Sequence, residues 1–208
     1  MIANFHLQRI HALLASGSRR LLGIVGPPGS GKSTLAQQLA EVFGDKVVVV
    51  PMDGYHLANA QLERLQRTDR KGAWDTFDSE GYIALLHRLK ANPPGEKTIY
   101  APEFNRTLDE PIAAAIAVDD LTPLVITEGS YLLLQQEPWA RVRALLDEVW
   151  YVEVESSLRQ SRLVERHMRF GRTEKAAQDW VANTDEPNAR LIEATAARAD
   201  LIFRWQVG

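Results

Sequence analysis

Five short apolar runs punctuate the chain: Leu21–Val25, Val47–Val50, Leu124–Ile126, Val149–Val154 and Leu201–Phe203. They are rich in Val, Ile and Leu and lack apolar–polar alternation, so they read as strands covered on both faces. Between them apolar residues recur at helical spacing. Leu7, Ile10, Leu13 and Leu14 precede the first run, and Leu35, Leu39, Val42 and Phe43 follow it. Tyr82, Leu85, Leu86 and Leu89 mark a further helix, which Asn92-Pro93-Pro94-Gly95 ends as a turn rather than a domain linker. Strands alternating with helices predict an α/β fold with a mainly parallel sheet. The stretch Lys97–Thr122 carries no clear period: Thr98-Ile99-Tyr100 suits a strand, and Ala113–Ala117 reads only as a small-residue patch.

Directly after the first run stands Gly26-Pro27-Pro28-Gly29-Ser30-Gly31-Lys32-Ser33, a complete G-x-x-x-x-G-K-[ST] loop, with Thr34 opening the helix behind it. Glycines at these positions let successive backbone N–H groups turn toward phosphate oxygens. Lys32 then reaches the outer phosphates, and the Ser33 hydroxyl is placed for Mg²⁺. The positive end of the following helix points at the same anion. Strand, loop and helix in this order predict a nucleoside triphosphate site.

Length and charge narrow the classes. The 208 residues suit one domain spanning 1–208. A formal net charge of -3 argues against a sequence-independent nucleic-acid binder, which needs a basic surface. The absence of cysteine excludes disulfides, thiolate metal sites and thiol nucleophiles. Met1–Leu14 lacks the unbroken apolar core of a signal peptide, and no apolar run approaches the ~20 residues of a membrane span. A cytoplasmic protein with access to ATP is expected, without membrane insertion; a homodimer is left open.

Ligands in open parallel sheets bind beyond the carboxyl ends of the strands. Two carboxylates stand there, Asp53 in Pro51-Met52-Asp53-Gly54-Tyr55-His56 and Glu128 in Thr127-Glu128-Gly129. Asp53 is a candidate base for the acceptor hydroxyl, although Asp-Gly is also a common turn pair. Glu128 is a candidate Mg²⁺ ligand beside Ser33, or a loop cap. His56 is either a structural histidine or an acceptor contact. Arg159, Arg162, Arg166 and Arg169 fall within an arc of roughly 80° at ~100° per residue, so they form a stripe. A solvated face is one reading. The other is a lid over about 159–175 that brings cations to the phosphates, with Arg172 continuing it. Arg70 to Asp78 and Tyr100 to Arg106 mix cations, aromatics and acids, and read either as acceptor-binding loops or as surface excursions covering the sheet. The acceptor loops are placed at about 53–78 and 100–111.

This order of motifs resembles the small-molecule kinases that include uridine kinase, phosphoribulokinase and the bacterial P-loop pantothenate kinase. The resemblance spans nearly the whole chain and implies a P-loop NTPase-type sandwich: a five-stranded, mainly parallel sheet flanked by helices, with a helical lid. It implies Asp53 as acceptor-activating carboxylate and Lys32, Arg166 and Arg169 in catalysis. It places the nucleotide on Gly26 to Thr34 with Arg162 and Arg172, and Mg²⁺ on Ser33 and Glu128. The acceptor would meet Asp53, Tyr55, His56, Arg70, Lys71, Phe77, Tyr100, Arg106 and Glu128. Pro51 to Leu57 and Asn183-Thr184-Asp185-Glu186-Pro187-Asn188 are similar to a branch labelled fructose-transport-system kinase. The chain lacks the longer insert that shapes a pyrimidine pocket. The expectation is therefore an ATP- and Mg²⁺-dependent kinase acting on a small polar metabolite, a sugar such as fructose. A nucleoside or pantothenate-type kinase is the alternative within enzymes, and a nucleotide-dependent regulatory switch the alternative from another class.

Overall fold

The computed structural model describes residues 2–92 and 96–205. The Pro93-Pro94-Gly95 part of the expected turn lies outside them. Five strands form one parallel sheet: β1 (Arg20–Val25), β2 (Val47–Pro51), β5 (Leu124–Gly129), β6 (Glu148–Glu153) and β7 (Leu201–Arg204), in the order β2-β5-β1-β6-β7. Side chains alternate across a strand. In β1, Leu22 and Ile24 therefore join Ile10, Leu35, Leu39 and Trp150 under α1 (Asn4–Leu14) and α2 (Lys32–Phe43). Leu21 and Val25 join Leu85, Leu86, Leu89 and Trp139 on the other face, under α4 (Ser79–Ala91). Two covered faces explain why the runs are continuously apolar.

Local signals fix the helix ends. Asp78 caps α4 by accepting from the Gly81 backbone N–H at 2.9 Å. Gly31, at φ 90°, turns the chain into α2 with no side-chain cap, so the first N–H groups of that helix are left for another partner. Two short elements, α3 (Asn59–Arg64) and the hairpin β3 (Ile99–Asn105) with β4 (Glu110–Val118), cover the carboxyl edge of the sheet. The alanine patch Ala113–Ala117 is thus part of a nine-residue strand. Its period is weak because alanine has low strand propensity and the strand is largely exposed. The hairpin accommodates Pro102 beside a register shift between Ala101 and Glu103.

The chain beyond β6 forms α5 (Ser156–Arg169), α6 (Glu174–Trp180), a π turn (Val181–Asp185) and α7 (Glu186–Glu193). Pro187, early in α7, has no N–H to give to the preceding turn, and the helical run widens into the π turn just before it. Among the described residues no helix is long and apolar enough to cross a membrane.

The segment that leaves β2 is held tightly. A 3₁₀ turn (Met52–Tyr55) follows the strand, His56 bridges Phe77, and the His56 ring lies between Phe77 (4.1 Å) and Phe104 (4.6 Å). A Cβ at Gly54 would stand 2.3 Å from the Pro102 carbonyl oxygen, which belongs to the hairpin backbone and has no rotamer to change. Gly54→Ala is expected to cost about 1–3 kcal/mol by overpacking, read as a lower urea midpoint.

Burial lowers the His56 pKa below its ordinary 6.5, against the pull of the Asp53 carboxylate. The unfolded chain takes up this proton as pH falls through 6.5, while the folded protein resists it until lower pH. Stability from this group is complete above that value and declines below it. His6, also lowered by burial, acts in the same direction, and Glu128, raised by burial, in the opposite one. The urea midpoint of His56→Gln should therefore fall less steeply than the parent's between pH 6.5 and about pH 5.

Candidate active site

The register of the sheet sets the site. Ile24 of β1 and Pro51 of β2 both pair with Glu128 of β5, so three strand ends stop at one edge. From that edge rise the loop Gly26–Ser33, Asp53 and Glu128. The loop folds around glycines in the left-handed region, Gly29 at φ 80° and Gly31 at φ 90°. Gly26, Pro27 and Ser30 are buried beneath it as scaffold. A Cβ on Gly26 would meet the Ser30 Oγ at 2.7 Å.

Ser33 Oγ donates to Glu128 Oε1 at 2.9 Å, and Glu128 is 5% exposed. Burial pushes the Glu128 carboxyl up and the Lys32 ammonium down, each toward its neutral form, while their mutual attraction works the other way. Asp53 behaves differently. Burial would raise its carboxyl, but His56 first, then Arg106, Lys32 and Arg166, hold it below the usual carboxylate range. Two carboxylates at one sheet edge are thus set apart by their surroundings. Arg166 is itself lowered, first by burial and then by Arg106.

Two cavities meet over the loop. The larger, about 890 Å³, is lined by Pro28, Asp53, His56, Lys71, Phe77, Arg106, Glu128 and Arg172 of the expected residues. The smaller, about 370 Å³, is lined by Gly29, Gly31, Thr34 and Arg162. Lys32, Ser33 and Arg166 line both, and so mark the junction.

Besides the buried Gly26, Pro27 and Ser30, four expected residues line neither cavity. Tyr55 turns back onto Tyr82, with ring centroids 5.4 Å apart. Arg70 is taken up by Asp75. Tyr100 is 57% exposed on the hairpin. Arg169 is exposed in the last turn of α5. The arginine stripe does not share one environment. Arg159 is 1% exposed and paired with Glu186, and only Arg162 and Arg166 of the four line the cavities. Lys71 lines the larger cavity, yet its ammonium donates to Asn59 Oδ1 (2.6 Å), Asp109 O (2.6 Å) and Asp109 Oδ2 (2.7 Å). An ammonium has three hydrogens, so none is left for a ligand.

Several lining residues carry no local signal. Trp205, just past β7, gives its indole N–H to the Ser30 carbonyl at 3.2 Å and borders the smaller cavity. Tyr131 reaches the larger cavity while donating to the Gly72 carbonyl at 2.6 Å. From α5 and the π turn come His167 and Asp185, with Nε2 and Oδ2 2.8 Å apart, and Arg172 lies over the Trp180 ring at 3.9 Å. Asp185 and Asn188 belong to a segment visible in the sequence as a motif, but its place in the same cavity wall as Asp53 needs the fold.

Known proteins resemble this chain in sequence and fold. A Schizosaccharomyces pombe protein named "putative uridine kinase" is 33% identical over 203 residues, covering 92% of this chain and 86% of its own. A crystal structure from Silicibacter sp. TM1040, described as a "putative fructose transport system kinase", is 37% identical with a TM-score of 0.88, covering 98% of this chain and 99% of that one. YFH7 of Saccharomyces cerevisiae, 18% identical, has the same fold at a TM-score of 0.85 over 99% of this chain and 100% of its own. The model of the phosphoribulokinase / uridine kinase family matches residues 21–207, and the chain belongs to that family of P-loop kinases.

Proposed function

We propose that the chain transfers the γ-phosphoryl group of ATP to a hydroxyl of a small polar metabolite, with a sugar such as fructose as the favoured acceptor. The observation that carries this reading is one cavity whose wall joins a carboxylate kept ionised, Asp53, to Glu128 and to the junction residues Lys32, Ser33 and Arg166. A nucleotide-operated switch needs no second walled cavity against its phosphate loop. The likeness to the Silicibacter structure supports the sugar, and the likeness to the S. pombe protein keeps a nucleoside as the second reading.

In this reading Asp53 orients the acceptor hydroxyl and takes its proton, while Lys32 and the loop amides hold the β- and γ-phosphates. Arg166 at the junction offsets charge that develops in flight, and Arg162 belongs to the nucleotide side. The chain acts as a single domain with residues 159–175 as lid and 53–78 and 100–111 as acceptor loops. Mg²⁺ fits the donors present. Ser33 Oγ and Glu128 supply hard oxygens, and no group of three or more His, Asp or Glu that could hold a metal occurs among the described residues, as suits an ion that takes most of its ligands from phosphate and water. When bound, the ion neutralises charge on the phosphate oxygens.

Acceptor-dependent ADP release tests the reading. D-fructose is expected to raise it at least ~100-fold over ATP alone, because lid closure completes the site only with acceptor present. Stimulation by a nucleoside but no sugar would transfer the proposal to the second reading, and stimulation by a protein partner alone would end it. Asp53→Asn should lower kcat by ~10²–10⁴-fold and leave ATP affinity within a few-fold.

The arginines give a separate expectation. Arg166→Ala should lose at least ~10²-fold in kcat, whereas Arg169→Ala, exposed and away from both cavities, should stay within about 3-fold. Steady-state kinetics of the two variants decide between a phosphate clamp at the junction and a solvated helix face.

A further inference from the structure

Arg106, at the turn of the β3–β4 hairpin, places its Nη2 3.2 Å from Asp53 Oδ2. The turn that presents it is fastened from outside. Asn105 Oδ1 accepts from the backbone N–H groups of Thr107 (3.0 Å) and Leu108 (2.9 Å). Asp109, in the left-handed region at φ 54°, receives two of the three Lys71 hydrogen bonds. The Asn59 side-chain amide donates to the same Asp109 carbonyl at 3.1 Å. Lys71 itself is 14% exposed in its side chain and lies 5.3 Å above the Phe104 ring. A saturated lysine thus ties the hairpin turn to the 53–78 segment, with Arg106 set on the Asp53 carboxylate.

We infer that Lys71 and Asp109 are positioning residues that keep Arg106 on the Asp53 carboxylate while the acceptor is absent, so that Asp53 does not activate water against ATP. This rests on the reading of Asp53 as the base. In the wasteful reaction the oxygen of water bonds to the γ-phosphorus and its proton passes to the Asp53 carboxylate. The bond from that phosphorus to the bridging oxygen breaks, and ADP keeps the electron pair. Arg106 engages one of the two carboxylate oxygens, Oδ2, and so lowers the capacity of Asp53 to orient that water and take its proton. The ion pair is open to solvent, with side-chain exposures of 50% and 31%, and exposed pairs of this kind are weak. An acceptor hydroxyl therefore displaces it readily, whereas a mobile water without other anchors does not.

ADP release from ATP in the absence of any acceptor tests the inference, with thermal midpoint and ADP affinity as controls. Arg106→Gln should raise the acceptor-free rate at least about 5-fold, a small part of what a positioned base contributes. Lys71→Met and Asp109→Asn should raise it in the same direction by a smaller factor without changing ADP affinity, a gain that loss of structure does not produce. Asp109 is exposed, so Asp109→Asn keeps the test open should Lys71→Met fail to fold. Asp53→Asn added to Arg106→Gln should return the rate to the parent's or below. An Arg106→Gln rate at or below the parent's, with Asp53→Asn still lowering fructose-stimulated turnover, overturns the masking role and leaves the base in place. If Asp53→Asn alters neither rate, the base reading falls and the inference with it.

Discussion

The rest of the molecule depends on the register of a parallel sheet buried on both faces. A slip of one residue in β5 would send Val125 and Ile126 to the wrong clusters, so the pairing of Glu128 with Ile24 and Pro51 is held by the whole core. That pairing decides which side chains meet. Glu128 ends one strand, the phosphate loop starts from its neighbour, and Asp53 follows two residues beyond Pro51. Chemistry at this edge therefore comes from fixed strand ends rather than from mobile loops.

Burial then gives those side chains unequal characters. Lys32 and Glu128 are driven toward neutrality by loss of water, and their mutual attraction opposes that shift. Asp53 sits among cations and stays an anion. The cations come from different parts of the chain: Arg106 from the hairpin and Arg166 from α5. Both come from segments far from Asp53 in the chain, whereas His56, which lowers the carboxyl most, is three residues on.

Those covering elements differ in how they are anchored. The hairpin is tied by Lys71 and Asn59 and by the close passage of Gly54 under Pro102. The helices after β6 are tied by Arg159, buried against the phosphate loop at Gly29 and paired with Glu186 at the start of α7. One arginine of the α5 stripe thus serves the scaffold, two border the cavities, and one faces solvent.

The sequence by itself determined the sheet, the phosphate loop and the two acidic strand ends. Each rests on short-range physics: continuous apolar runs, glycines at left-handed positions, and the rule that parallel strands present ligands at their carboxyl ends. It left β4 as an alanine patch, because exposed alanines carry no period. It set Tyr55, Arg70 and Tyr100 at the site because motif and composition name the loops without saying which way a side chain turns, and Arg169 because helical spacing names a face without saying how far along it the site extends. Tyr55 went to Tyr82 and Arg70 to Asp75 for reasons of packing and charge close at hand, yet invisible in one dimension. Tyr131, His167, Asp185 and Trp205 entered the cavities through contacts between segments far apart in the chain. Only the tertiary structure decided those, since spacing along a chain encodes the face of a helix or strand and not the distance between two elements that pack together.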